Sequence, residues 1–259
     1  MNPEKLKRYV NGFTDSTLVP FNCPFCSNPT LALDKESVVE YDTSKYHEHS
    51  DYSDPEDCVE YIYHSTYSCL NQGCKQKVFS SGIGKVEVDY PVDESGEPEK
   101  EYYTLYTPKI FLPALHFFEI AKDTPQDIKD LLNLSFSLVL QSPAAAVNSL
   151  RSTLEELLNA HQIEIKQGLQ LHDRIEHKIP ESSDLYPYLE CLMAIKWLGN
   201  TGSHGGYVDI DDIFDVYEIM EFILNGVYTK DQLDPMQKAR LINSLKRPLN
   251  RQERKSLTQ

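Results

Sequence analysis

Four cysteines constrain what this chain can fold into more than any other feature. Cys23-Pro-Phe-Cys26 is a pair spaced by two residues, and "YSCLNQGCKQKVF" brings Cys69 and Cys74 to either side of a Gly73 turn. Two cysteines spaced by two with a proline between them predict the tight turn of a zinc knuckle, in which backbone amides also reach the thiolates. Zinc asks for four such ligands in a tetrahedron with Zn–S bonds of about 2.3 Å. The C-x2-C…C-x4-C spacing lies within what such modules tolerate, so Cys23, Cys26, Cys69 and Cys74 are the expected ligands. Four thiolates leave no open position, which makes the expected Zn2+ structural, a staple for a β module too small for a sufficient core. The other reading of the same residues is two unrelated cysteine pairs. Cys58, in an acidic insertion, is a poorer ligand, and Cys191 reads as a small hydrophobe on an apolar helix face. His47 and His49 read as solvated, and His64 as a strand residue.

The text changes character near residue 110. Before it stand short β segments, "STLVPFNC", "LALD", "VEYIYHSTYSC", "KQKVFSSG", "KVEVDYPV" and "EYYTLYTP", separated by turn residues and acidic loops. After it stand helices with apolar residues three and four apart, which predicts faces packed on one another in a bundle. Thr124 with Pro125, and Ser142 with Pro143, have the form of a cap followed by proline at the first helical position. "DIDDIFDVYEIMEFILNGVY" is acidic at its start, as the helix dipole favours. "DPMQKARLINSLKRP" reads as a last, basic helix. The fold class is therefore α+β. An N-terminal β-rich zinc-ribbon module with an acidic insertion spans residues 1–108, and an α-helical domain spans 109–259, with "TPKIFLP" as the joint.

Composition narrows the function classes. The 259 residues carry a formal net charge of −15, yet seven of the 25 Lys and Arg fall after residue 237. An acidic body repels phosphates and argues against wide non-specific nucleic-acid binding, while leaving room for a small local site. No run of 18 apolar residues exists, and "MNPEKLKRYV" lacks a signal peptide's apolar segment, so no membrane association and a cytoplasmic location are expected. Six cysteines in such a compartment serve as metal ligands or buried residues rather than as disulfides.

Polar residues interrupt the apolar helical texture at two places. Arg151 and Glu155 are four apart and share a helix face in "SLRSTLEELL". In "KWLGNTGSHGG", Lys196, Asn200 and His204 would fall along one stripe of a helix, among glycines that let a backbone or a substrate come close. A His beside an Asn and a Lys suits phosphate chemistry. His would act as general acid or base, Asn would orient it, and Lys would balance developing negative charge. The plain alternative is a helix end with a hydrogen-bonding Asn and a structural His.

The order CPxC, "TPKIFLP", "PAAAVNSLRSTLEELL", "IKWLGNTGSH" resembles the family of unknown function numbered 4145. That family's Arg-x-x-Leu-Glu helix matches Arg151, Leu154 and Glu155. Its later Gly-Asn-x-x-x-His segment matches Gly199, Asn200 and His204, with Lys196 at the place of a preceding Arg. The family in turn is similar to the HEPN superfamily of α-helical domains, common in bacterial toxin–antitoxin and phage-defence systems. The resemblance implies a metal-independent endoribonuclease acting as a homodimer on RNA, with a defence-system partner protein. His204 would be its acid/base, Asn200 its helper and Lys196 its phosphate ligand. The residues also leave open a non-catalytic adaptor that binds protein or nucleic-acid partners.

Overall fold

A computed structural model describes residues 10–14, 21–43, 59–92, 96–164, 169–203, 207–229 and 242–248. Four strands, β1 (Leu31–Asp42), β2 (Glu60–Cys69), β3 (Lys77–Asp89) and β4 (Glu101–Leu112), form an antiparallel sheet in the order β1-β2-β3-β4. Among the described residues five longer helices follow: α1 (Gln126–Leu138), α2 (Pro143–Ala160), α3 (Leu171–Lys178), α4 (Leu189–Ser203) and α5 (Ile210–Tyr228). The sheet followed by helices is the expected α+β order.

Alternation builds the sheet. Along β2, Tyr63, Ser65, Tyr67 and Cys69 are buried while Ile62 and His64 face out, the period of two that a half-buried strand requires. The inward tyrosines meet Tyr106 and Phe111 of β4, and Phe13 and Phe21 from the N-terminal segment. Phe13 bridges to Tyr106 at one sheet edge, and Phe21 bridges to Leu31 at the other. The hydroxyl of Tyr106 on β4 also donates to the Glu40 carboxylate on β1, across two intervening strands, which requires a strongly curled sheet.

Three expectations are corrected. "KQKVFSSG" and "KVEVDYPV" form one strand, β3, which runs straight through Gly82 and Gly84. A Cβ at Gly82 would stand 2.2 Å from the Thr107 carbonyl oxygen and 2.9 Å from the Tyr63 ring. The glycine is there because the strand passes too close to its neighbours for a side chain, at a shift in the β3–β4 register, and not because the chain turns. "TPKIFLP" continues β4 as far as Leu112 rather than acting as a joint. Thr124 does not cap α1. Its own N–H closes a turn onto Ala121, the helix starts one residue later with Pro125 at the cap position, and no side chain bonds there.

The chain after β4 belongs to the helical core. Phe117 and Phe118 pack on Phe136 of α1 and Tyr217 of α5 at ring separations of 5.2–5.8 Å. The Tyr217 hydroxyl is satisfied by Ser135 at 2.9 Å, which itself donates to the Ala146 carbonyl. Helix α2 starts on Ser142, whose side chain accepts from Ala145 N–H, with Pro143 at its first turn as expected. It buries Val147, Leu150, Leu154, Leu157 and Leu158 against α1 and α4, each worth about 1.5–3 kcal/mol over an exposed position. Helix α5 begins in a reciprocal box in which Asp209 and Asp212 each accept the other's backbone N–H, at 2.9 and 3.0 Å. Of the expected basic last helix, only residues 242–248 lie within the described residues, with a helical turn at 242–245.

Candidate metal centre and the polar seam of the helical domain

The four cysteines predicted as ligands converge. Their sulfurs all lie within 4.8 Å of one another, with Cys23–Cys74 at 3.8 Å and Cys26–Cys69 at 3.7 Å. A tetrahedral ion with metal–sulfur bonds of about 2.3 Å separates its sulfurs by roughly 3.8 Å. The cluster is therefore compatible with one four-coordinate metal ion, and its donor set of four thiols suits a soft or borderline one. Cys69 comes from the end of β2, and the other three come from two turns. Both turns close on left-handed residues directly after a cysteine, Ser27 (φ 56°) and Lys75 (φ 53°). Cys58, His47 and His49 lie outside the described residues. His64 sits on the exposed face of β2 beside Tyr41, and half-buried Cys191 packs against the helical core.

Polar neighbours prepare one of the four sulfurs for charge. Backbone N–H donation from Asn28, working against partial burial and aided by the side chains of Asn28 and Asn71, holds the Cys26 thiol down at about 6. Burial pushes the Cys23 thiol up to about 12, so without an ion this sulfur keeps its proton. The Thr30 hydroxyl lies 3.2 Å from the Cys69 sulfur. Asn71 and Thr30 are contributors that the cysteine spacing alone did not reveal. Aligning Cys26 with Cys74, and reading back three residues from each, would have flagged Asn71.

The second group of expected residues lies on two helices, α2 and α4, which meet at Gly199 and Arg151. Gly199 is buried against Arg151, and a Cβ there would stand 2.7 Å from the Arg151 Cβ and 3.2 Å from its Cγ and Cδ. The glycine lets the arginine stem lie flat on α4. Arg151 and Glu155 pair at 3.5 Å with side chains 32% and 45% exposed, a partly solvated i,i+4 pair worth a few tenths of a kcal/mol. The Arg151 Nε is buried and has no hydrogen-bond partner among the described residues. Lys196, one turn before Gly199, is only 6% exposed, and its ammonium lies 3.3 Å from the centre of the Trp197 ring. Asn200 is half-buried on the last turn of α4, and His204 lies outside the described residues. Gly199 of α4 thus meets Arg151 of α2, while Arg151 pairs with Glu155 on its own helix and Lys196 rests on the aromatic face of its neighbour Trp197.

Residues 133–251 match the family described as Domain of unknown function (DUF4145). The match begins inside α1 and takes in Arg151, Glu155, Lys196, Asn200 and His204. Residues 11–111 match a second family, Domain of unknown function (DUF8608), and this region holds all four clustered cysteines. No curated protein and no solved structure matches the chain. No helix among the described residues is long and apolar enough to cross a membrane.

Proposed function

We propose that the DUF4145 region is a HEPN-like domain and that the protein is a metal-independent endoribonuclease of a bacterial defence or toxin-type system, active as a homodimer in the cytoplasm. In this reading the cysteine cluster holds a structural Zn2+ and takes no part in the chemistry. The observation that supports the proposal is the contact of Arg151 with Gly199, which brings one residue of each of two separate motifs together. Arg151 and Lys196 would neutralise a phosphodiester, and Asn200 would orient it. His204 would take the proton from the RNA's 2′-hydroxyl as that oxygen attacks the neighbouring phosphorus, and would return one to the leaving 5′-oxygen. The products would be a 2′,3′-cyclic phosphate and a free 5′-hydroxyl. Lys196 would have to leave Trp197 to reach a phosphate, a rearrangement that substrate or a second copy of the chain would drive.

The test is RNA cleavage by purified wild type beside His204→Ala, in EDTA, with the dimeric state of both measured. The reading expects cyclic-phosphate ends from the wild type and their loss in the variant. Intact RNA with both proteins, with the variant less stable than wild type, would assign His204 to structure.

A second reading, a non-catalytic adaptor, is favoured by one observation. The outer face of the sheet presents Tyr41, Ile62 and Ile83 as cross-strand neighbours, with Phe79 and Leu112 paired beside them, all of them exposed. Apolar rows of this kind suit contact with another protein.

A further inference from the structure

We infer that Asn71 is a positioning residue of the metal centre: it occupies the place of a ligand in a regular two-residue-spaced knuckle and holds the Cys26 thiolate by a hydrogen bond. This deepens the metal-centre reading and rests on it.

The two cysteine turns have one hydrogen bond in common. In the first, Ser27 N–H donates to the Cys23 carbonyl at 2.8 Å, and in the second, Lys75 N–H donates to the Asn71 carbonyl at 3.1 Å. In each, the donor is the left-handed residue that follows a cysteine. Aligning the turns on that bond sets Cys74 beside Cys26 and Asn71 beside Cys23. Position 71 is therefore where a C-x2-C pair would carry its first cysteine, and the fourth sulfur comes instead from Cys69, two residues earlier on β2. That displacement accounts for the C-x4-C spacing.

Both ends of the Asn71 amide are used. Its Oδ1 accepts the Gly73 N–H at 3.0 Å, which fixes the turn, and its Nδ2 points at the Cys26 sulfur at 3.6 Å. Thr30 stands in a similar relation to Cys69. Four thiolates around a divalent ion leave a net charge of −2, placed in a chain whose own formal charge is −15. N–H and O–H donors draw charge off the sulfurs and orient them, the task that neighbours of metal ligands perform elsewhere. Asparagine does this without adding charge, which aspartate could not do.

The test measures Zn2+ affinity of the full chain by competition with a chromophoric chelator, with Co2+ absorption as a report on the ligand set. Asn71→Asp keeps the acceptor for Gly73 and so the turn, but faces the thiolate with an oxygen in place of a donor. Its affinity is expected to fall at least about tenfold, with the four-sulfur cobalt spectrum retained. Wild-type affinity in Asn71→Asp would overturn the inference and leave Asn71 as a turn residue only. A second pair of variants does not depend on that one folding well. Cys69→Ser should lose the four-sulfur band, and Cys69→Ser with Asn71→Cys should regain it, because position 71 is a ligand place. Failure to regain it in a folded double variant would also overturn the inference. A wild type that takes up no Co2+ would instead sink the metal-centre reading itself.

Discussion

The cysteine centre and the helical seam are both built where two chain segments meet, yet they are finished to different degrees. At the centre, two turns and a strand end bring four identical donors to the separations one tetrahedral ion would impose, and hydrogen-bond donors surround them. At the seam, two helices bring unlike polar groups together, and those groups are partly committed to each other: Arg151 to Glu155, Lys196 to Trp197. A closed set of like donors needs only an ion to complete it. A set of mutually paired charges must be rearranged before it acts on anything.

The largest expected effect lies on the cysteine side. Cys69→Ser should abolish metal binding and expose residues 21–112 to limited proteolysis, because metal binding in small modules of this kind is folding free energy. The helical far-UV signal should survive in the full chain. Equal loss of sheet and helix signals would erase the contrast between the two regions. Next in size is Gly199→Ala. The added methyl collides with the Arg151 stem near the backbone, where little can give, so a cost of about 1–3 kcal/mol from overpacking should exceed the helix-propensity gain of about 1 kcal/mol. A neutral or stabilising result in chemical denaturation would show that α2 and α4 do not meet this closely.

The smallest effect concerns pH. His116 sits against Phe136, and burial holds its pKa below the usual histidine value. As pH falls, the unfolded chain therefore takes up this proton before the folded one does. The stability from the neutral ring is whole above about pH 6.5 and declines below it. Denaturation midpoints of wild type and His116→Gln should diverge above that pH and approach each other as it falls. Parallel curves would show that the ring is not buried as a neutral group.

Local pattern made much of this legible. The cysteine spacing alone named all four clustered residues, and alternating or three-and-four periodicity located β2 and most of the helices. What stayed hidden depended on contacts distant in sequence. Gly82 and Gly84 look like turn residues until Tyr63, Tyr106 and the Thr107 carbonyl are seen beside them. Phe13 carries no strand pattern, because it contributes a single bridge and a ring rather than a run of paired residues. The helical stripe through Lys196 was readable, but not that its ammonium would rest on the neighbouring Trp197, since a side chain's direction is decided by what packs around it. Asn71 was overlooked because it is not a cysteine, although its place in the second turn is a cysteine's place.

The central claim is that the cysteine centre is closed, with four sulfur ligands and no position left for chemistry. The visible absorption of the Co2+-substituted protein tests it most directly. The account predicts one ion per chain and the intense bands of a tetrahedral four-thiolate site, unchanged by added anions. Fewer sulfurs, or a spectrum that shifts when anions are added, would reveal an open position and contradict the division of labour between the two regions.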